Sequence, residues 1–261
     1  MSEAGTQTQM EHAPGSFCWI ELATTDGPGA KKFYSELFGW TTHDSTIGPD
    51  MVYTIIRLDG KDVGALYQKG ETMKDVPTHW ASYISVVSAD EVAAKAKSLG
   101  GTVLKEPFDV FDAGRMAVIT DPTGATFCIW QAIKHSGVGV KGQPNSLSWN
   151  ELLTNDTARA IDFYTKLFGW KIDANNPMGY RQINTGSSEG IQGGIWPAPP
   201  QAPTFVQLFV TVDNVQAAAK NAEALGAKLL IPPTMLPEGN EMAVMLDPQG
   251  MSFGIWRQRK S

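Results

Sequence analysis

The chain has little of what metal and redox sites are usually built from. Its 261 residues hold two cysteines, Cys18 and Cys128, and four histidines, His12, His43, His79 and His135. Both cysteines sit in apolar, strand-like runs, which reads as buried free thiols in a reducing cytoplasm, with a disulfide or a metal pair as the alternative. An excess of positive charge is also missing. The net charge is −6 and the pI is near 5.2. Lysine and arginine are scattered without a basic stripe, which argues against a nucleic acid partner. No apolar run approaches the roughly 18–20 residues that a membrane span needs, so no membrane partner is expected. The opening stretch MSEAGTQTQMEHAPG is polar and lacks the apolar core of a secretion signal. Residues 1–14 are expected to be a flexible lead-in to a cytoplasmic protein.

What the chain does have, it has twice. Residues 17–40 read FCWIELATTDGPGAKKFYSELFGW and residues 147–170 read LSWNELLTNDTARAIDFYTKLFGW. Aligned without a gap, they share Trp19/Trp149, Glu21/Glu151, Asp26/Asp156 and the run Phe-Tyr-x-x-Leu-Phe-Gly-Trp. A second echo pairs Asp121-Pro-Thr-Gly-Ala-Thr-Phe-Cys-Ile-Trp130 with Asp247-Pro-Gln-Gly-Met-Ser-Phe-Gly-Ile-Trp256. The unit is about 120 residues long, a plausible size for one domain. Two domains are expected, over residues 15–133 and 147–258, joined by a polar, glycine-rich linker over 134–146.

Within each copy the pattern is a strand, a helix and further strands, and then the same again. The first strands, FCWIELAT and LSWNELLT, lead to helices capped by Asp26 and Asp156 and stopped by Gly39 and Gly169. Strands are expected around Val52–Leu58 and Asp62–Gln68, and around Tyr180–Asn184 and Ile191–Trp196. The second half starts on His79–Val87 or Thr204–Val212, followed by an alanine-rich helix, Ala89–Leu99 or Val215–Leu225. Three strands close each copy: Thr102–Phe108, Arg115–Thr120 and Thr126–Gln131, then Lys228–Pro232, Glu241–Leu246 and Ser252–Arg257. The Asp-Pro-x-Gly runs are tight turns, in which proline presets φ and glycine allows the positive value. Each domain is thus an α+β unit of the form (βαβββ)2, and the chain holds four modules. Pro197–Pro203 is a stiff loop between modules.

These modules and signatures resemble the vicinal oxygen chelate superfamily, which includes glyoxalase I, extradiol dioxygenases and the bleomycin- and fosfomycin-resistance proteins. More narrowly, the chain is similar to two-domain glyoxalase-like proteins of bacteria, often labelled hydroxylases or glyoxylases. The resemblance covers roughly residues 15–257. It implies mixed sheets curled into two cups, each able to hold a small molecule and a divalent metal. It also implies that four modules in one chain can do what single-domain relatives do as dimers, so a monomer or a homodimer is expected. Pairing of modules within the chain or by swapping stays open.

The resemblance implies metal ligands of His, Gln or Glu type at set strand positions. Here those positions hold Trp19 and Trp149, Ala81 and Gln207, Cys128 and Gly254, with Tyr67 and Trp196 near the fourth. Indole cannot ligate a cation, and alanine and glycine offer no side-chain donor, whereas a hard divalent cation wants several converging ligands. No cofactor is therefore expected, with a displaced metal ligand at His79 as the alternative.

Alternation along a strand puts Phe17, Trp19, Glu21 and Ala23 on the cup face, with Leu147, Trp149, Glu151 and Leu153 in the second copy. The same argument adds Ala81, Tyr83 and Ser85 with Gln207, Phe209 and Thr211, and Thr126, Cys128 and Trp130 with Ser252, Gly254 and Trp256. The candidate ligand-binding residues are Trp19, Tyr83, Cys128, Trp130, Trp149, Gln207 and Trp256. Glu21 and Glu151 are the candidate catalytic residues, as general bases or anchors for a ligand amine or hydroxyl. The competing reading pairs each carboxylate structurally, with Arg57, Arg115, Tyr53, Arg181 or Tyr180 as partners. Trp40, Trp170 and the Phe-Tyr pairs read as core.

Two kinds of function follow. The first is a metal-free protein that binds a small aromatic, amphipathic or cationic compound in its cups, as bleomycin-resistance proteins do. The second is a glyoxalase-, hydroxylase- or dioxygenase-type enzyme acting on a small carbonyl or hydroxylated metabolite. A metal-dependent reaction is a third reading. A structural role is a fourth, and its sign would be cups filled by their own side chains.

Overall fold

The computed structural model describes residues 10–48, 51–173, 179–188, 190–236 and 239–259. The first copy contains β1 (Phe17–Thr24), α1 (Gly27–Phe38), β2 (Thr41–Gly48), β3 (Met51–Leu58), β4 (Lys61–Gln68), β5 (His79–Ser85), α2 (Ala89–Ser98), β6 (Thr102–Val110), β7 (Gly114–Thr120) and β8 (Thr126–Ala132). The second contains β9 (Leu147–Thr154), α3 (Thr157–Phe168), β10 (Lys171–Ile172), β11 (Arg181–Asn184), β12 (Ile191–Pro197), β13 (Phe205–Thr211), α4 (Val215–Ala224), β14 (Lys228–Met235), β15 (Glu241–Leu246) and β16 (Ser252–Arg257). Asp26 accepts from Gly29 N at 2.9 Å and Asp156 from Arg159 N at 3.0 Å, as N-caps do. Gly39 and Gly169 end the helices in the left-handed region, at φ 68° and 75°. β2 and β10 are additional to the strands expected from the sequence. β2 is polar and largely exposed and β10 has only two residues, so neither shows an apolar period. His43 lies on β2.

Each copy forms one eight-stranded sheet, in the order β2-β3-β4-β1-β5-β8-β7-β6 and, equivalently, β10-β11-β12-β9-β13-β16-β15-β14. β1 runs parallel to β4 and antiparallel to β5, so the two modules of a copy join at the sheet centre. The modules therefore pair within each copy, and each sheet makes one cup. No helix among the described residues is long and apolar enough to cross a membrane.

The helices tie the copies together. On α1, Ala30, Phe33, Tyr34 and Phe38 pack with Leu208, Val210, Phe253 and Ile255 of the other sheet. On α3, Ala160, Phe163, Tyr164 and Leu167 pack reciprocally with Ile84, Phe127 and Ile129. The repeated motifs meet at these contacts. Tyr34 Oη donates to Asp247 Oδ2 at 2.8 Å, and Tyr164 lies beside Asp121, its pKa raised by burial and by that charge. Trp40 Nε1 donates to Asn145 O at 2.7 Å and Trp170 Nε1 to Gly15 O at 2.8 Å. The Phe-Tyr-x-x-Leu-Phe-Gly-Trp run of one copy thus grips the Asp-Pro-x-Gly turn of the other.

A bulge in β1 between Phe17 and Trp19 corrects one expectation about the cups. Phe17 leaves the cup face and packs on Trp170, with ring centroids 5.5 Å apart, in the core between the sheets. A shift between Phe209 and Val210 in the β9–β13 pairing does the same to Leu147, which joins the core around α1. An extra residue reverses the alternation beyond it, which a strict period of two cannot register.

Candidate functional site

The two cups share their framework and differ in their space. In each, the glutamate of the first strand lies beside a tyrosine, Tyr53 on β3 in the first copy and Tyr180 just before β11 in the second. Tyr53 Oη donates to Glu21 Oε2 at 2.6 Å, and Tyr180 is hydrogen-bonded to Glu151. The arginines considered as partners lie elsewhere. Arg57 pairs with Asp62 and Arg115 with Asp90 and Asp109, while Arg181 Nη1 donates to the carbonyl of Tyr180. Among the candidates, the tyrosines are the partners.

The first cup is filled. Trp19, Tyr83, Cys128 and Trp130 pack into one cluster with Cys18, Ala65 and Val138, and each of the four is at most 7% exposed. Tyr83 Oη makes a second hydrogen bond to Glu21, on Oε1 at 3.1 Å, so both carboxyl oxygens have a phenol. Burial raises the Glu21 pKa above its ordinary value, and the two phenols partly oppose that shift. The linker then crosses the opening. Trp130 Nε1 donates to His135 O at 2.8 Å, the His135 ring stands edge-on to Trp19 at 4.6 Å, and Val138 N donates to Cys18 O at 2.8 Å. His79, the alternative metal ligand, contacts Pro77 O through Nδ1 at 2.9 Å. Both cysteines are buried and neither is in a disulfide.

The second cup keeps a cavity of about 660 Å³. Its wall includes Trp149, Trp196, Phe209, Trp256, Gln207 and Glu151. Trp149 and Trp256 lie 5.6 Å apart with planes inclined by 32°. Trp149 Nε1 donates to Tyr180 Oη at 3.0 Å, so an indole, a phenol and the carboxyl form a chain. A glycine seats that chain: a Cβ on Gly194, the register partner of Glu151, would lie 2.0 Å from Tyr180 Oη. Burial pushes the Glu151 pKa up to about 7, against the lowering effect of the Tyr180 hydrogen bond. Opposite Glu151 in register, Gln207 is buried and accepts from Ser252 Oγ at 2.5 Å.

The family model described as Glyoxalase/Bleomycin resistance protein/Dioxygenase superfamily matches residues 16–129 and again 146–255. The chain belongs to the glyoxalase/bleomycin resistance protein/dioxygenase superfamily. It is 36% identical over 250 residues to a Mycobacterium tuberculosis protein named "Putative glyoxylase CFP32", covering 94% of this chain and 95% of that one. It is 30% identical over 275 residues to the anthracycline biosynthesis protein DnrV of Streptomyces peucetius, covering 95% of each. Among solved structures, the Mn(II)-bound glyoxalase of Novosphingobium aromaticivorans superposes with a TM-score of 0.68 at 15% identity, over 95% of this chain and 83% of that one. The 2,3-dioxygenase LapB of Pseudomonas sp. KL28 gives 0.67 at 12%, over 96% and 94%. At those identities the structural likeness shows the shared fold.

A metal is thus the group this superfamily implies, and the second cup's donors do not fit one. No three His, Cys, Asp or Glu side chains converge among the described residues. Of the positions expected to carry ligands, Trp149 offers an indole N–H already given to Tyr180, and Gln207 Oε1 is engaged by Ser252. Gly254 has no donor, and its space is taken: a Cβ there would lie 2.2 Å from the Phe209 ring. Trp196 supplies a third indole to the cavity wall.

The seven candidate ligand-binding residues divide four to the first cup and three to the second. Trp149, Gln207 and Trp256 reach the cavity with Glu151, whereas Trp19, Tyr83, Cys128 and Trp130 are packed around Glu21. Tyr180, a candidate structural partner in the sequence, also lies on the cavity wall. The available signal was Gly194, a glycine inside a strand, which marks close approach of another group.

Proposed function

We propose that the second cup binds a small molecule with a flat, apolar body and does so without a metal centre, in the manner of a bleomycin-resistance-like binding protein. The observation that carries this reading is the aromatic cavity of about 660 Å³, with one carboxyl–phenol pair in its wall. On this reading the first cup is a structural half that braces the second. The Streptomyces peucetius relative is named for anthracycline biosynthesis, and a polycyclic aromatic body has a flat face that can stack on an indole. Four modules in one chain complete both cups without a second copy. A screen of aromatic compounds by tryptophan fluorescence tests the proposal. Saturable quenching should survive Trp19→Phe and fall in Trp149→Phe and Trp256→Phe. Absence of saturable binding, or binding that depends on Trp19 alone, would sink it.

A second reading is favoured by Glu151 itself. A carboxyl that titrates near 7 beside a cavity is suited to take up and return a proton at neutral pH, as a general base on a small carbonyl or hydroxylated metabolite requires. A glyoxalase-, hydroxylase- or dioxygenase-type activity of this kind should be lost in Glu151→Gln with folding intact. Unchanged turnover would remove Glu151 from the chemistry.

A further inference from the structure

The wall of the second cup carries information about its ligand that its volume does not. Among the described residues lining it there is no lysine, arginine or histidine, and Glu151 is the one carboxyl group. An anionic ligand would be desolvated there without a counter-charge. A cation would meet a carboxylate and three indoles: Trp149 from β9, Trp196 from β12 and Trp256 from β16. Indole faces attract organic cations through the negative face of the ring.

Comparison of the two copies locates the subsite. In the first cup Glu21 receives one phenol on each oxygen, from Tyr53 and from Tyr83. In the second, Tyr180 takes the part of Tyr53. The register partner of Trp149 is Phe209, where that of Trp19 is Tyr83. A phenyl ring has no hydroxyl to donate. Among the described residues the second phenol that closes the Glu21 site has no counterpart at this register position, and Glu151 lines the cavity. An ammonium placed there would supply the missing donor as a charge-assisted hydrogen bond.

Resting on the reading of the second cup as a binding site, we propose that its ligand is an organic monocation, an alkylamine that carries an aromatic ring system. Its ammonium donates to Glu151, and its ring system lies among Trp149, Trp196 and Trp256.

Three matched compounds test this at pH 8, where Glu151 is ionised: 9-(aminomethyl)anthracene, 9-(hydroxymethyl)anthracene and anthracene-9-carboxylate. Dissociation constants would be read from tryptophan fluorescence on the full chain. The amine should bind at least about tenfold more tightly than the alcohol, and the carboxylate weakest of the three. Glu151→Gln should erase the preference of amine over alcohol. Phe209→Tyr, which rebuilds the first cup's second phenol, should do the same and decides the matter if Glu151→Gln does not fold. Equal binding of amine and alcohol by the unaltered chain, or an amine preference that survives the substitution, would overturn the cation and leave the pocket standing. Binding of none of the three would overturn the pocket reading and the cation with it.

Discussion

At Glu151, burial and function act on one group. The carboxyl keeps its proton in the folded chain up to about pH 7, whereas the unfolded chain releases it near the model-peptide value of 4.5. Between those values the folded state binds more protons than the unfolded one, so stability falls as pH rises through the window and is level on either side. Glu151→Gln cannot ionise. Its stability, measured by urea unfolding at pH 5 and pH 8, should lack this loss, which is on the order of 3 kcal/mol in the parent. Tyr180→Phe removes the hydrogen bond that favours the carboxylate, so the upper edge of the window should move to higher pH. Both glutamates and the two candidate tyrosine partners were legible from strand alternation and composition. The choice of tyrosine over arginine was not, because it depends on which side chain of a neighbouring strand reaches across, and no spacing along the chain records that.

Helix and turn explain why the two most visible motifs repeat. Tyr34 on α1 is buried, accepts from Trp80 Nε1 at 3.2 Å and donates to Asp247 in the turn before β16. Tyr34→Phe would leave a buried carboxylate oxygen without its donor and should lower stability by about 1–3 kcal/mol in chemical denaturation. Tyr164→Phe should cost less, because Asp121 Oδ2 has no hydrogen-bond partner among the described residues to lose. On β16 the constraint is space. Gly254→Ala would drive a methyl group into the Phe209 ring, which must then shift. A stability loss of about 1–3 kcal/mol is expected, with weaker ligand binding in the second cup. The helices, their caps and most strands were legible because each has a local signal: a cap, a left-handed glycine or an apolar period. β2 and β10 were not, since a polar edge strand owes its conformation to the neighbour it pairs with.

Over the whole molecule, the two copies do not own separate cores. α1 is buried against β13 and β16, and α3 against β5 and β8. Excising residues 147–258 would bare both faces, so that fragment should fail to unfold cooperatively by calorimetry. The full chain should melt in one transition. A fragment with a sharp transition near that of the parent would contradict the interlocked core. The chain by itself determined the duplication, the four modules, the superfamily and a cup-facing glutamate in each copy, because these rest on local pattern and on residues that recur. Which cup keeps its space was decided only when the chain folded. That outcome turns on Tyr83 against Phe209, on Cys128 against Gly254, and on a linker that crosses Trp19 and Cys18. A cavity is what remains after side chains from distant strands have met, and its volume is written at no single position of the sequence.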